Sequence, residues 1–341
     1  MHIKRTQTKN INKMKKSSFL VMALAALCLF AACSEKEGVY NPKKKIANIY
    51  KSSVTIHSSL DGSRGRWYSD TVTVAKYLSE AWTWDGKKLA KITFYEQNAS
   101  TEVEDVINFS YDGKQMVRAE GDGQYMTFSY NGKELKSCAM YDTENTAAPI
   151  VQFDFVYKDG KVVEIKVTGE GIDLDKASAR RLEQVVFREI LPTFEQADMA
   201  IAKISNTMRT NGAKAGMTIP VKHTWDGDNV SKMETSMTMM GMTMNAEVSF
   251  TYDNKKNPYQ HFLFGMFGML EDAYASTAAF NKNNVVKAVS KETFMGEPSV
   301  SEMNYTYTYD GSWPTSQTMT TTINEEDYKV NSTSTNYFEY K

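Results

Sequence analysis

The chain has 341 residues, 41% of them hydrophobic and 24% charged, with 40 basic against 41 acidic side chains. These proportions suit a folded chain and exclude a disordered tail, a collagen-like repeat and a bundle of membrane-spanning helices. Read in chain order, residues 1–32 are set apart as a targeting signal. Lys4, Arg5, Lys9, Lys13, Lys15 and Lys16 give a basic start without an acidic residue, and Phe19 to Ala32 form an apolar run too short to span a bilayer comfortably. Met14-Lys15-Lys16 would itself make an ordinary start.

The run ends Leu29-Phe30-Ala31-Ala32-Cys33, which resembles the lipobox of bacterial lipoproteins, with Phe30 where an aliphatic residue is usual. The resemblance implies cleavage before Cys33, acylation of its thiol and attachment to a membrane. Leu27 makes Cys28 the poorer candidate, being bulky at the cleavage site. Glu35 and Glu37 resemble the acidic export tags of some Bacteroides-type lipoproteins. They imply an outer-membrane, surface-exposed address.

Without the six signal cations the mature chain carries 34 basic against 41 acidic residues, a formal charge of −7. This balance argues against a nucleic-acid partner, which needs a clustered basic face. With Cys28 removed and Cys33 acylated, Cys138 is the one remaining thiol. No intrachain disulfide can form, so stability must come from a packed core. Residues 33–45 are polar and read as a lipidated tether; residues 46–341 read as one β-rich domain.

A hairpin unit recurs through that domain: an alternating strand, an aromatic residue, an Asp-Gly or Asn-Gly step and a lysine. Trp84-Asp85-Gly86-Lys87, Tyr111-Asp112-Gly113-Lys114, Tyr130-Asn131-Gly132-Lys133, Tyr157-Lys158-Asp159-Gly160, Trp225-Asp226-Gly227, Tyr252-Asp253-Asn254 and Tyr309-Asp310-Gly311 are its copies. Asp-Gly and Asn-Gly tolerate positive φ and predict type I′ turns, whose twist matches that of the strands they join. Alternation predicts one buried face: Val151, Phe153, Phe155 and Tyr157 share a parity, as do Val163, Ile165 and Val167, and Met303, Tyr305, Tyr307 and Tyr309. The aromatics before the turns are expected to pack across strands. Units spaced by about 19 to 29 residues leave room for roughly 14 to 16 strands, which must curl, split or close. Solvated Thr and Ser on one face exclude a wall embedded in lipid.

Between about 173 and 211 the period changes to that of a helix. Phe194, Ala197, Ile201, Ile204 and Met208 fall on one stripe after an earlier helix carrying Leu182, Val185, Val186 and Ile190. The expected class is therefore mainly β, a large antiparallel up-and-down meander, strongly curved or barrel-like, with one inserted α-helical hairpin.

Three segments carry the most particular wording: Phe250-Thr251-Tyr252-Asp253-Asn254-Lys255-Lys256-Asn257-Pro258-Tyr259, Asn281-Lys282-Asn283-Asn284-Val285, and Tyr305 to Pro314. They resemble an uncharacterised family of Bacteroides-type lipoproteins, a domain of unknown function with a porin-like antiparallel β fold. The resemblance implies a cell-envelope location and carries over no catalytic residue.

Chemistry-bearing patterns are few. His57, His223 and His261 lie far apart, with no zinc-binding spacing, nucleophile elbow or phosphate-binding loop. No catalytic residue, cofactor or metal is expected, and the chain reads as a non-enzyme. Asp226-Gly227-Asp228-Asn229 has calcium-like residues, better explained as a turn. Met233, Met237, Met239, Met240, Met242 and Met244 could bind soft copper, but the step at Met239-Met240 and Gly241 predicts sulfurs divided between two faces. A core or cavity lining is favoured. Phe262 to Leu270 is a second apolar run, a buried element or a cavity-lining loop. The function expected is an acyl-anchored envelope lipoprotein acting as a binding or structural module. A carrier of a hydrophobic ligand in a half-open barrel is the alternative, and a surface glycan binder ranks below it.

Overall fold

The structure, a computed structural model, describes residues 42–61, 66–96, 99–121, 123–144, 146–149, 151–169, 217–239, 242–260, 281–294, 297–324 and 328–341. Sixteen strands follow in order. They are β1 Ile46–Asp61, β2 Arg66–Asp85, β3 Lys88–Glu96, β4 Ala99–Asp112, β5 Gln115–Gly121, β6 Gln124–Asn131, β7 Glu134–Asp142 and β8 Val151–Lys158. The second half adds β9 Lys161–Gly169, β10 Met217–Asp226, β11 Asn229–Met239, β12 Met242–Tyr252, β13 Val285–Phe294, β14 Glu297–Asp310, β15 Trp313–Asn324 and β16 Tyr328–Tyr340. Each pairs antiparallel with its sequence neighbours, and β1 pairs with β16, so the meander closes into a barrel without an open seam.

Every even-to-odd connection lies at one end, here the turn end, together with Ile46 and Tyr340. The odd-to-even connections lie at the opposite, open end. The wall is uneven: β2 has 20 residues and β5 only 7, and β2 pairs with β3 only from Glu80 to Asp85. No helix occurs among the described residues. The helical hairpin expected over 173–211, Cys33 and its tether, and the apolar run Phe262 to Leu270 lie outside them.

The turns differ from expectation in type. Gly86, Gly113, Gly132, Gly227 and Gly311 have φ of +55° to +62°, while the residue after each is not left-handed. A positive φ at only the first of two central residues is the type II′ pattern, with Asp or Asn serving as the last strand residue. Among the described turns, only the β8–β9 turn has two left-handed residues, Asp159 and Gly160, as type I′ requires. Its cause is visible in the sequence, because Lys158 sets Asp-Gly one residue further from the aromatic than elsewhere.

Strict alternation also fails, at one repeated place. Just past each of these turns the register slips by one residue, between Thr83 and Trp84 on β2, for example, and between Val156 and Tyr157 on β8. The extra residue sits on the returning strand, so the first two inward residues there are three apart rather than two. Leu89 and Ile92, Met116 and Ala119, Leu135 and Cys138, Val162 and Ile165, and Val230 and Met233 are all buried pairs of this kind. Ile46 and Ile49 repeat the spacing on β1. Val162, fully buried, therefore takes the inward place that alternation assigned to Val163, while on β8 Tyr157, opposite Val162, keeps the parity of Phe153 and Phe155.

Large apolar side chains face inward. Phe153, Ile46, Ile49 and Leu89 are the largest that are fully buried, and Phe94, Phe109, Phe128, Phe155, Phe250 and Phe338 are nearly so. Each such burial stabilises the fold by about 1.5–3 kcal/mol. The outward face is charged. Lys232 pairs with Glu234 at 3.0 Å and Glu247 at 3.6 Å, and Lys287 with Glu302 at 2.7 Å, on positions that alternate with inward Met233, Val248, Ala288 and Met303. Arg118 and Glu120, 2.8 Å apart, lie outward on β5.

Candidate functional site

The register slip creates a need that the aromatics meet. A bulge takes a carbonyl out of the ladder, and a carbonyl turned from both water and its partner strand must find another donor. Trp84 Nε1 donates to the Ile46 carbonyl at 2.8 Å, Tyr111 Oη to Leu89 at 2.9 Å, Tyr130 Oη to Met116 at 2.8 Å, and Trp225 Nε1 to Val162 at 2.8 Å. Tyr252 to Val230, Tyr307 to Val285 and Tyr340 to Pro314 continue the series. In each case the aromatic at the foot of an even strand hooks the foot of the odd strand before it. Cross-strand packing, the role expected from sequence, is secondary to this polar hook. Burial raises the Tyr111 and Tyr340 hydroxyls well above the ordinary tyrosine value, keeping both as donors.

A second layer covers the hooks. Lys45, Lys88 and Lys161 place their ammonium groups over the rings of Trp84, Tyr111 and Trp225, 5.2–5.3 Å from the centroids. Lys45 and Lys161 also donate to the carbonyls of Gly86 and Gly227 in the adjacent turn. The turn end is thus a continuous lattice of rings, lysines and turn carbonyls.

At one point among the described turns the lattice is interrupted. Between β12 and β13 the short turn gives way to the 253–284 connection, whose described parts, 253–260 and 281–284, form an asparagine clasp. Asp253 Oδ1 accepts from the Lys255 and Asn284 amides, and its Oδ2 accepts from Asn284 Nδ2 at 3.0 Å and from the Tyr309 hydroxyl. Asn281, fully buried, accepts the Val230 amide on Oδ1 at 2.8 Å, and its own carbonyl accepts from Asn257 Nδ2 at 2.8 Å. Asn283 and Asn229 exchange hydrogen bonds, while Lys282 pairs with Asp228 at 2.8 Å. The clasp is why three separated segments share such particular wording: they meet here. It also includes Asp226-Gly227-Asp228-Asn229, whose Asp228 and Asn229 side chains are engaged by Lys282 and Asn283.

From the clasp, Tyr259 enters the barrel. It is 4% exposed and packs against Trp82 of β2 and Phe338 of β16, with ring centroids 6.4 and 5.9 Å away. Asn257 Oδ1 fixes its backbone amide at 2.9 Å. The connection between β12 and β13 therefore reaches the inner wall four strands away, as a plug would.

The other singled-out residues are not brought together. His57 lies on β1, whereas His223 faces inward on β10, opposite Met233, and His261 is outside the described residues. Burial pushes the His223 imidazole down to about 3, so it is neutral at physiological pH. No group of three or more His, Cys, Asp or Glu side chains that could hold a metal exists among the described residues. Cys138 is in no disulfide and is buried on β7 between Phe128 and Phe153. In the methionine tract Met237 lies opposite Met244 and Met239 opposite Met242, backbone positions of the same parity as Met233 and Val248, while Met240 and Gly241 lie outside the described residues.

Tyr125 and Tyr141 stack on the wall with centroids 5.1 Å apart and planes at 11°. The Arg118 guanidinium lies 3.6 Å from the Tyr125 centroid, which covers one face of the platform a sugar would use.

No family model matches the sequence, and neither does any curated protein. Among solved structures, the fold is similar to a porin-like protein from Bacteroides uniformis ATCC 8492, with a TM-score of 0.41 and 11% identity, covering 85% of this chain and 97% of that one. A porin-like protein from Bacteroides vulgatus ATCC 8482 matches with a TM-score of 0.43 and 10% identity, covering 88% and 99%.

Proposed function

We propose that this chain is a non-enzymatic lipoprotein of the cell envelope, a barrel of porin-like strand number that stands in water beside a membrane and is held to it by acyl chains on Cys33. The observation that carries the first part is the inversion of its wall, charged outside and, over the half toward the turn end, apolar inside. Facing hydrocarbon, each lysine or arginine near the midplane would cost about 2–4 kcal/mol, so Lys232, Lys287, Lys291 and Arg118 together would cost on the order of 10 kcal/mol. The order of basic, apolar and small residues before Cys33 supports the second part.

The lumen is the functional face of this reading. A ring of 16 strands is too wide for its own side chains to fill, and porins of this strand number leave an aqueous channel. An apolar lining of that width calls for apolar contents, of which Tyr259 is one described example. The long connections, including a helical hairpin over 173–211 laid across the open end, are proposed to supply the rest. A second reading, carriage of a hydrophobic ligand, is favoured by the same lining. A surface glycan-binding role has less support, given the cover over Tyr125.

The test is envelope fractionation with intact mass measurement. The wild type is expected in the membrane fraction with acyl mass on Cys33, Cys33→Ala in the water-extractable fraction, and neither to conduct ions in a planar bilayer. Ion conduction would overturn the reading. Native mass spectrometry separates the two interiors: a co-purifying lipid-sized mass favours the carrier, and a bare chain favours the plugged module.

A further inference from the structure

The two ends of the barrel carry opposite charge. Residues 42–45, 85–88, 112–115, 131–134, 158–161, 226–229, 253–257, 281–284, 310–313 and 340–341 make up the turn end and hold 13 lysines against 8 Asp and Glu side chains. The short connections at the other end, 60–66, 96–99, 120–124, 142–150, 239–242, 294–297 and 324–328, hold 10 acidic side chains against 2 arginines. The long 170–216 connection carries 7 of each sign, and 258–280 within the β12–β13 connection adds Glu271 and Asp272, so the turn end still holds 13 lysines against 10 acidic side chains. A chain that is acidic as a whole thus concentrates lysine on one rim.

We propose that the turn end is a docking surface for an anionic bilayer, its lysines meeting the phosphate groups of lipid headgroups. This inference rests on the acyl-anchor reading for its orientation, because the chain leaves the barrel toward Cys33 through Pro42 to Lys45, at the basic rim. Twelve residues from Cys33 to Lys45 span at most about 40 Å when extended. A slack tether therefore lets the rim settle within a Debye length of the headgroups, about 8 Å at physiological salt. The acidic end is repelled from the same surface, so the field selects one of two orientations that the tether alone would permit.

The lysines are of two kinds. Lys45, Lys88 and Lys161 are committed to the ring lattice, yet their charge still faces outward. Lys87 and Lys133 instead occupy the second central position of their turns, are exposed, and carry no positive φ. Replacing them disturbs neither hook nor turn geometry. Trp84, Trp225 and Trp313 on the same rim are half-buried indoles, a residue type that favours the headgroup level.

The test uses the full-length chain carrying Cys33→Ala, so that acylation plays no part, and flotation with phosphatidylcholine vesicles with or without 30% phosphatidylglycerol. Binding is expected only to the anionic vesicles and to be lost on moving from 50 to 300 mM salt. Lys87→Glu with Lys133→Glu should weaken it by at least roughly tenfold, near-surface lysines being worth about 1 kcal/mol each. Lys166→Glu with Lys222→Glu, an equal charge change on exposed strand positions away from the rim, should weaken it much less. No binding, equal binding to neutral vesicles, or equal loss in both double variants would overturn the proposal. Wild type without acyl mass would sink the anchor reading alone, since flotation of the Cys33→Ala chain reports on the rim independently.

Discussion

The turn end and the open end of this barrel are built on different principles. At the turn end most joints share one specification: a glycine with positive φ, a slipped register and an aromatic hook on the neighbouring foot, with a lysine over the ring at Trp84, Tyr111 and Trp225 and the asparagine clasp in place of the short turn between β12 and β13. At the open end connections range from two residues, 240–241, to the 170–216 segment, and exposed Val54, Val72, Val103 and Val300 lie on the taller strands. The inner wall follows the same division on β1 and β16. Ile49 and Phe338 are buried near the turn end, while Thr55 and Ser332, paired through their hydroxyls at 3.0 Å, take over further up. Closure, the contrast implies, is determined at one rim, and the other is left to vary.

The comparison can be broken by substitution, beginning where the effect should be largest. Phe153→Ala should lower unfolding free energy by about 3–5 kcal/mol, whereas Val300→Ala, at a residue 68% exposed, should change it by less than about 0.5 kcal/mol. Urea titration of both would show whether stability is concentrated as described. Acid comes next. Because the His223 value is depressed in the folded state, protons favour the unfolded chain as pH falls below about 6.5. The neutral histidine's contribution is lost toward about 3. A loss of about 3 kcal/mol by pH 4 is expected, and His223→Leu should flatten that part of the stability profile. An identical profile in the variant would show that other groups govern acid unfolding.

Smaller effects probe the rim itself. Asn281→Ala leaves the Val230 amide without its side-chain acceptor and should cost about 2 kcal/mol by thermal melting, against little for Asn331→Ala on exposed β16. Gly113→Ala is expected to cost about 1–2 kcal/mol, because an added Cβ there meets nothing within 4 Å but the +56° φ strains any residue with a side chain. Tyr111→Phe removes one hook and should cost about 1 kcal/mol, visible as faster amide exchange at the feet of β3 and β4.

The class of fold was legible because its signals are local. Asp-Gly and Asn-Gly steps in phase with alternating strands announce hairpins, and their number brings the count to between 14 and 16. What escaped was the register slip, because Leu89 and Ile92 or Val162 and Ile165, three apart, look like noise in a two-residue period. The one-in-three spacing after every turn was the available signal, and with it the hooks could have been anticipated. Closure of β1 on β16 was not legible, since it depends on summing small tilts over sixteen strands. The clasp was visible as unusual wording, yet the partnership of Asp253 with Tyr309 and of Asn281 with Val230 links residues more than 50 positions apart.

The hooks have an architectural consequence for engineering. Since each one ties together the two legs of a loop at their base, the loop above can be exchanged without loosening the legs. Trp225 still grips Val162 across the 170–216 segment, much as Tyr252 grips Val230 across a connection of two residues, 240–241. The molecule is in effect a socket strip with seven hooked ports among the described strands, and foreign peptides grafted into those ports, unlike any placed at the glycine bends, should leave the frame standing.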